Sequence, residues 1–254
     1  MTISAYALAV LIVIFFLTSV VGVVTGSNSL IAVPAMFQAG IEPRIAIATN
    51  MFGLLFMSIG ATIPFVRKRK IDYTKITPFI GLTIAASAIG ALLVGIISGS
   101  GLKLIVSTAM VAVALFSLLR HKTGVNDETT PGKYAKPLTY FLTFLLGVYG
   151  GLFSGGYVTM LTAVCVGIYG MRYSEAVAST KLINVFSSGI ATIVFMWQGL
   201  VDYKLGLILG VTMFVGAYAG AHYVTKLNDL WLRRIFLTTV LLLAAKTIYD
   251  LVNT

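Results

Sequence analysis

The sequence predicts an all-α polytopic membrane protein made of two sequence-related repeats. Each repeat has four full-length spans and one short segment that is re-entrant or half of a broken helix, and an inverted second repeat is favoured. Three observations carry this. Hydrophobic residues make up 58% of the 254 and charged residues only 10%, with a mean hydropathy of +0.98, which lies outside the range of soluble domains. Apolar runs bounded by charge, glycine or proline recur in the same order in both halves. Sliding the chain by 130 positions aligns the halves without a gap, so that Asp72-Tyr73 falls on Asp202-Tyr203, Gly26 on Gly156, Gly40 on Gly170, Ser58 on Ser188 and Gly90-Ala91 on Gly220-Ala221.

In the first half the runs are Ala5 to Val24, the short Ser29 to Ala39, Arg44 to Val66, Ile76 to Ile97 and Leu102 to Leu119. In the second they are Pro137 to Phe153, the short Tyr157 to Tyr169, Ser174 to Trp197, Leu205 to Thr225 and Leu230 to Val252. The organisation is therefore a first transmembrane repeat over 1–120, a cytoplasmic linker over 121–136 and a second repeat over 137–254. At about 1.5 Å per residue the short runs fall well under the roughly 30 Å hydrocarbon core. Met1-Thr2-Ile3-Ser4 lacks a basic region and no small-residue cleavage site closes the first run, so that run is expected to stay as a span.

A formal net charge of +10 could suit nucleic acid, but the basic residues sit in short loops between apolar runs rather than on a soluble face. Positive-inside topology accounts for them. If the short segments cross the bilayer, 13 basic residues, among them Arg67, Lys75, Lys136, Arg172 and Arg234, lie inside and 4 (Arg44, Lys103, Lys204, Lys246) outside. If they do not cross, the split is 11 to 6. The stronger bias favours crossing, which inverts the second repeat. Cys165, the single cysteine, excludes an internal disulfide and reads as a small hydrophobe.

Two stretches could carry chemistry. Thr25-Gly26-Ser27-Asn28-Ser29 and, 130 positions on, Gly155-Gly156 interrupt apolar sequence with residues that open the backbone. In lipid such breaks are tolerated only where protein or a watery cavity satisfies them, and a helix restarting there aims N–H groups and a positive dipole end at the break. The polar helix starts follow, Ile45 to Asn50 and Glu175 to Lys181. Lys181 is followed by Asn184, Ser188 and Thr192 at spacings of three, four and four, which makes one polar stripe. A lysine at that depth faces a cavity or snorkels; the first half has Met51, Leu54, Ser58 and Thr62 there. The candidate substrate-binding residues are Ser27, Asn28, Thr49, Asn50, Ser154, Tyr157, Ser179, Thr180, Lys181 and Asn184. His222 is weighed as a proton relay against a packed residue, and Glu42, Glu175, Asp72 and Asp202 read as helix caps. No HExxH, CxxC, intramembrane Asp pair, Ser/His/Asp set or P-loop is present, so neither an enzyme, a cofactor, a metal nor ATP-driven transport is expected.

These motifs resemble a known family. In the TauE/SafE sulfite exporters each half carries roughly GxGGGxxxxP, then AxxTS, then GxIDW. This chain has TGSNSLIAVP, AIATN and KIDY in the first half, and SGGYVTML, AVASTK and GLVDYK in the second. The resemblance covers nearly the whole chain and implies a plasma-membrane, multi-pass transporter, with export of sulfite or an organosulfonate the best-known activity. The glycine clusters are eroded, and Lys181 stands where the family usually has an apolar residue. The partners expected are a small anionic substrate and the lipid bilayer, with no nucleic acid and with a homo-oligomer left open. An anion channel or uniporter is the first alternative function, and a non-transporting membrane scaffold the second.

Overall fold

The computed structural model describes residues 4–26, 28–67, 71–119, 134–223 and 249. Their order is α1 (Ala5–Thr25), α2 (Ser29–Gln38), α3 (Pro43–Arg67), α4 (Tyr73–Ile96), α5 (Gly99–Leu119), α6 (Ala135–Leu152), α7 (Tyr157–Gly167), α8 (Tyr173–Trp197) and α9 (Tyr203–Tyr223), with no strand among the described residues. Most of the expected linker and the expected last span, Leu230 to Val252, lie outside the described residues.

Composition explains the helices. Five of them, α1, α3, α4, α8 and α9, contain stretches of 19 to 24 residues long and apolar enough to cross a membrane. Two further expected spans are not among the five: α5, the last of the first half, whose apolar stretch among the described residues runs from Gly99 to Leu115, and α6, the first of the second half, at 18 residues. Lys136, Thr139, Thr143 and three glycines dilute the apolar character of α6. Capping sets several starts. Ser4 accepts from the Ala7 N–H, Asp72 from those of Thr74 and Lys75, and Asp202 from that of Leu205. Glu42 accepts from the Ile45 N–H. Glu175 does not act as a cap alone: it forms an ion pair with Lys75 at 3.0 Å, which joins the start of α8 to the start of α4.

The helix boundaries follow the sequence register. Helices α3 and α8 both have 25 residues and begin at 43 and 173, and α4 and α9 begin at 73 and 203. Packing crosses the halves in a reciprocal way. Helix α9 lies against α1 and α3, α4 lies against α6 and α8, and α3 meets α8 between them. Each half thus lends its fourth helix to the other.

The two short helices occupy the interior. Leu30, Val33 and Met36 of α2 are fully buried in one apolar cluster with α1, α3 and α5; Leu161 and Cys165 of α7 are fully buried in a second with Phe79 and Ile183. Outward faces, such as Val13 and Leu17 of α1 and Val211 and Val215 of α9, remain more than half exposed. An apolar outer face suits lipid, so association rests on close backbone packing rather than on exclusion of water. That packing is visible at two glycines 130 positions apart. A Cβ at Gly90 of α4 would lie 1.9 Å from the Val148 carbonyl oxygen of α6, and one at Gly220 of α9 would lie 2.5 Å from the Val20 carbonyl oxygen of α1. Gly90→Ala and Gly220→Ala are each expected to destabilise the fold by about 1–3 kcal/mol, read as a lower unfolding temperature in detergent. Gly81→Ala, with nothing within 4 Å of the added methyl, should leave it unchanged.

Candidate functional site

The site forms where the two breaks meet. Helix α1 ends at Gly26, whose φ of +67° only glycine adopts readily and whose N–H donates to the Gly22 carbonyl at 2.8 Å. Helix α6 ends at Leu152, the chain extends through Phe153, and Gly156 at φ +80° turns it into α7. The breaks are pressed together: a Cβ on Gly26 would touch Val158 and Thr159 at the start of α7, and one on Gly155 would touch Leu30 at the start of α2.

Beside this junction lies a small cavity of about 20 Å³. That is room for about one water-sized group. The first break supplies Gly22, Gly26, Asn28 and Ser29 to its wall, and the second supplies Ser154 and Val158. Helix α3 presents Leu54, Met57, Ser58 and Ala61, and α8 presents Lys181 and Asn184.

Lys181 is 5% exposed, and its Nζ donates to the Gly22 carbonyl oxygen at 3.3 Å. Among the described residues no carboxylate pairs with it. Asn184 Nδ2 donates to Ser58 Oγ at 2.6 Å, tying α8 to α3. Asn28 Nδ2 donates to Thr18 Oγ1 at 3.1 Å and Ser19 Oγ at 3.0 Å. The Thr18 hydroxyl gives its own proton to the Ile14 carbonyl at 2.7 Å, so it can only accept from Asn28, and this fixes the amide orientation. The Oδ1 atoms of Asn28 and Asn184 are buried with no hydrogen-bond partner among the described residues.

Of the sequence candidates, Asn28, Ser154, Lys181 and Asn184 line the cavity. Asn50 stands one step behind it, donating to Ser29 Oγ at 2.9 Å. Others face elsewhere. Thr49 accepts from the Asp202 N–H at 3.0 Å and so holds α3 to the start of α9. The Tyr157 hydroxyl sits 3.4 Å from Thr83 Oγ1 on α4, Thr180 shares a 2.9 Å hydrogen bond with Thr162 on α7, and buried Ser179 has no partner among the described residues. Ser27 lies outside the described residues. The polar stripe reaches the cavity only through its first two members, since Ser188 turns back to the Asn184 carbonyl and Thr192 lies away from the cavity wall. His222 is exposed and lies 2.9 Å from the Tyr218 carbonyl, at the end of α9. The sequence reading missed Ser29 as a wall residue, and on α3 it missed the face formed by Leu54, Met57, Ser58 and Ala61. The spacing of three, four and seven along that face was the available signal.

Comparison with known proteins gives this geometry a setting. A family model described as "Sulfite exporter TauE/SafE" matches residues 11–247. The chain belongs to this family. The TauE/SafE chain is 32% identical over 220 residues to a probable membrane transporter protein, ORF9, of a Sinorhizobium species, a match covering 86% of this chain and 83% of that one. It is 27% identical to the probable membrane transporter protein YfcA of Escherichia coli K12, over 98% of this chain and 92% of that one. The same identity holds against a probable membrane transporter protein of Haemophilus influenzae, over 98% of each. No solved structure matches. With its five span-length helices, this TauE/SafE member is a multi-pass membrane protein.

The tie from Asn28 to α1 gives a direct check on the first break. Asn28→Ala leaves Ser19 without its partner in a buried site and is expected to lower stability by about 1–3 kcal/mol, measured as a shift of the thermal unfolding midpoint in detergent.

Proposed function

We propose that the protein exports a small anion, sulfite or an organosulfonate, through the cavity between the two breaks. The observation that carries this reading is a buried lysine, without a carboxylate partner, on the wall of a cavity where two helix breaks meet. A lysine so placed is unfavourable unless it serves a ligand or a pathway. Lys181 supplies the positive charge, the remaining Nδ2 hydrogen of Asn184 and the hydroxyls of Ser29, Ser58 and Ser154 replace water around the anion, Asn28 holds the first break through Thr18 and Ser19, and Leu54, Met57 and Val158 seat an apolar substituent. Thr49, Asn50, Tyr157 and Thr180 hold the surrounding helices in place, and Ser179 is buried beside them. Membership of the TauE/SafE family and the names of the relatives support transport itself; the substrate class and outward direction follow from the family's description and the chemistry of the wall.

Two related repeats of opposite orientation are part of the same proposal. The reciprocal packing of α9 on α1 and α3, and of α4 on α6 and α8, supports them, and access would alternate as one group of helices moves against the other.

Lys181→Ala, reconstituted in vesicles, should lower sulfite or methanesulfonate flux about tenfold or more while the protein still folds. Unchanged flux would remove Lys181 from the site, and saturable counterflow distinguishes a carrier from a channel. The orientation has its own test. Cysteines placed at Lys204 and Arg172 should be labelled by a membrane-impermeant maleimide from outside and inside respectively, with the native thiol, buried Cys165, giving little background. The reverse pattern would show repeats in parallel orientation.

A further inference from the structure

We propose that the cavity admits monoanions and rejects dianions of the same shape, with Lys181 as the single charge that sets the limit; this rests on the anion-transport reading above. Among the described residues, Lys181 is the one ionisable side chain on the cavity wall. Neighbouring elements bring no second charge to it among the described residues. On α3 the charged residues are Arg44 and Arg67, at its two ends, and Arg44 donates to the Ile97 carbonyl. At the start of α4, Lys75 is held by Glu175 and Asp72. Lys136 stands at the start of α6, and α7 has no charged residue at all.

Helix dipoles do not alter the count. Each break sets the carboxyl end of one helix beside the amino end of the next, α1 before α2 and α6 before α7. Partial charges of opposite sign therefore lie side by side and largely offset each other. The Gly22 carbonyl that accepts from Lys181 belongs to the negative end of such a pair.

One ammonium neutralises one negative charge. A monoanion leaves the closed site neutral, whereas a dianion leaves a net negative charge where little water can reach it, which is heavily disfavoured. The rest of the wall agrees. Its apolar members are Leu54, Met57, Ala61 and Val158, which offer contact to a methyl or alkyl group and no donor to a second charged oxygen.

Methanesulfonate and sulfate test this, being tetrahedral and close in size but carrying one and two charges. Calorimetric binding of methanesulfonate to the purified full-length protein, with sulfate as competitor at neutral pH, should show sulfate weaker by about 100-fold or more. Lys181→Arg should keep that ratio and Lys181→Gln should collapse it, a change that loss of packing alone would not produce; if Lys181→Gln does not fold, the wild-type ratio decides. Sulfate binding within tenfold of methanesulfonate would overturn the selectivity while leaving anion transport standing. Failure of both anions to bind, and of methanesulfonate to be carried in vesicles, would overturn the transport reading and this inference with it.

Discussion

The structure depends on one constraint: two interruptions of helical backbone lie inside a protein that lipid surrounds, and their polar groups have to be satisfied without bulk water. The chain meets it locally first. Gly26 N–H returns to Gly22, Phe153 N–H to Tyr149, and Tyr157 N–H to Ser154, while the Tyr149 hydroxyl reaches over to the Gly155 carbonyl. It then covers each break with the other, since Gly26 packs on the start of α7 and Gly155 on the start of α2. Neither break would be tolerable alone at this depth. Beside them lies a small cavity, and the buried lysine is on its wall.

The same constraint explains why the halves interlock. If α4 packed only within its own half, α6 and α8 would have to bury their small-residue faces some other way. Instead Gly147 and Gly151 of α6 sit so close to α4 that a Cβ would fall 2.7 Å from Ala86 Cβ and 2.1 Å from the Ser87 carbonyl oxygen. Ser87 also bonds Ser187 of α8 at 2.7 Å. The two halves are therefore packed as one interlocked bundle. Around the cavity two contacts cross between helices, from α8 to α1 through Lys181 and Gly22, and from α8 to α3 through Asn184 and Ser58.

Much of this was legible in the sequence because apolar length and glycine punctuation have few structural solutions. The short runs predicted from Ser29 and Tyr157 are helices that begin at those residues, and the break glycines Gly26 and Gly156 take positive φ. Depth and burial of Lys181 were readable from its distance into an apolar helix. Which neighbours share its direction was not. Thr49, Ser179 and Thr180 adjoin the right residues in sequence, but one residue turns a helix by about 100°, and packing sends them to α9, into the interior and to α7. Tyr157 failed for another reason. As the first residue of α7 its backbone marks the break, yet its ring lies over Gly150 and points to α4, a partner no local pattern names.

Register through the cavity wall carries the argument one step further. Asn28 and Val158 stand 130 positions apart, as do Leu54 and Asn184, and all four line the cavity. In each pair one member is polar and the other apolar, and the order is reversed: the first half places its amide at the break and its apolar residue on the long helix, the second half the opposite. A wall built from matching positions of two related halves would otherwise present the same chemistry twice. Exchange of polarity at two matched positions, with Lys181 in register with Met51 as a third, yields instead a wall of mixed chemistry, in which Ser58 sits among Leu54, Met57 and Ala61. The glycines that turn the breaks, Gly26 and Gly156, are common to both halves and both take positive φ, so the halves differ in the side chains they bring to the wall and not in the backbone that folds it.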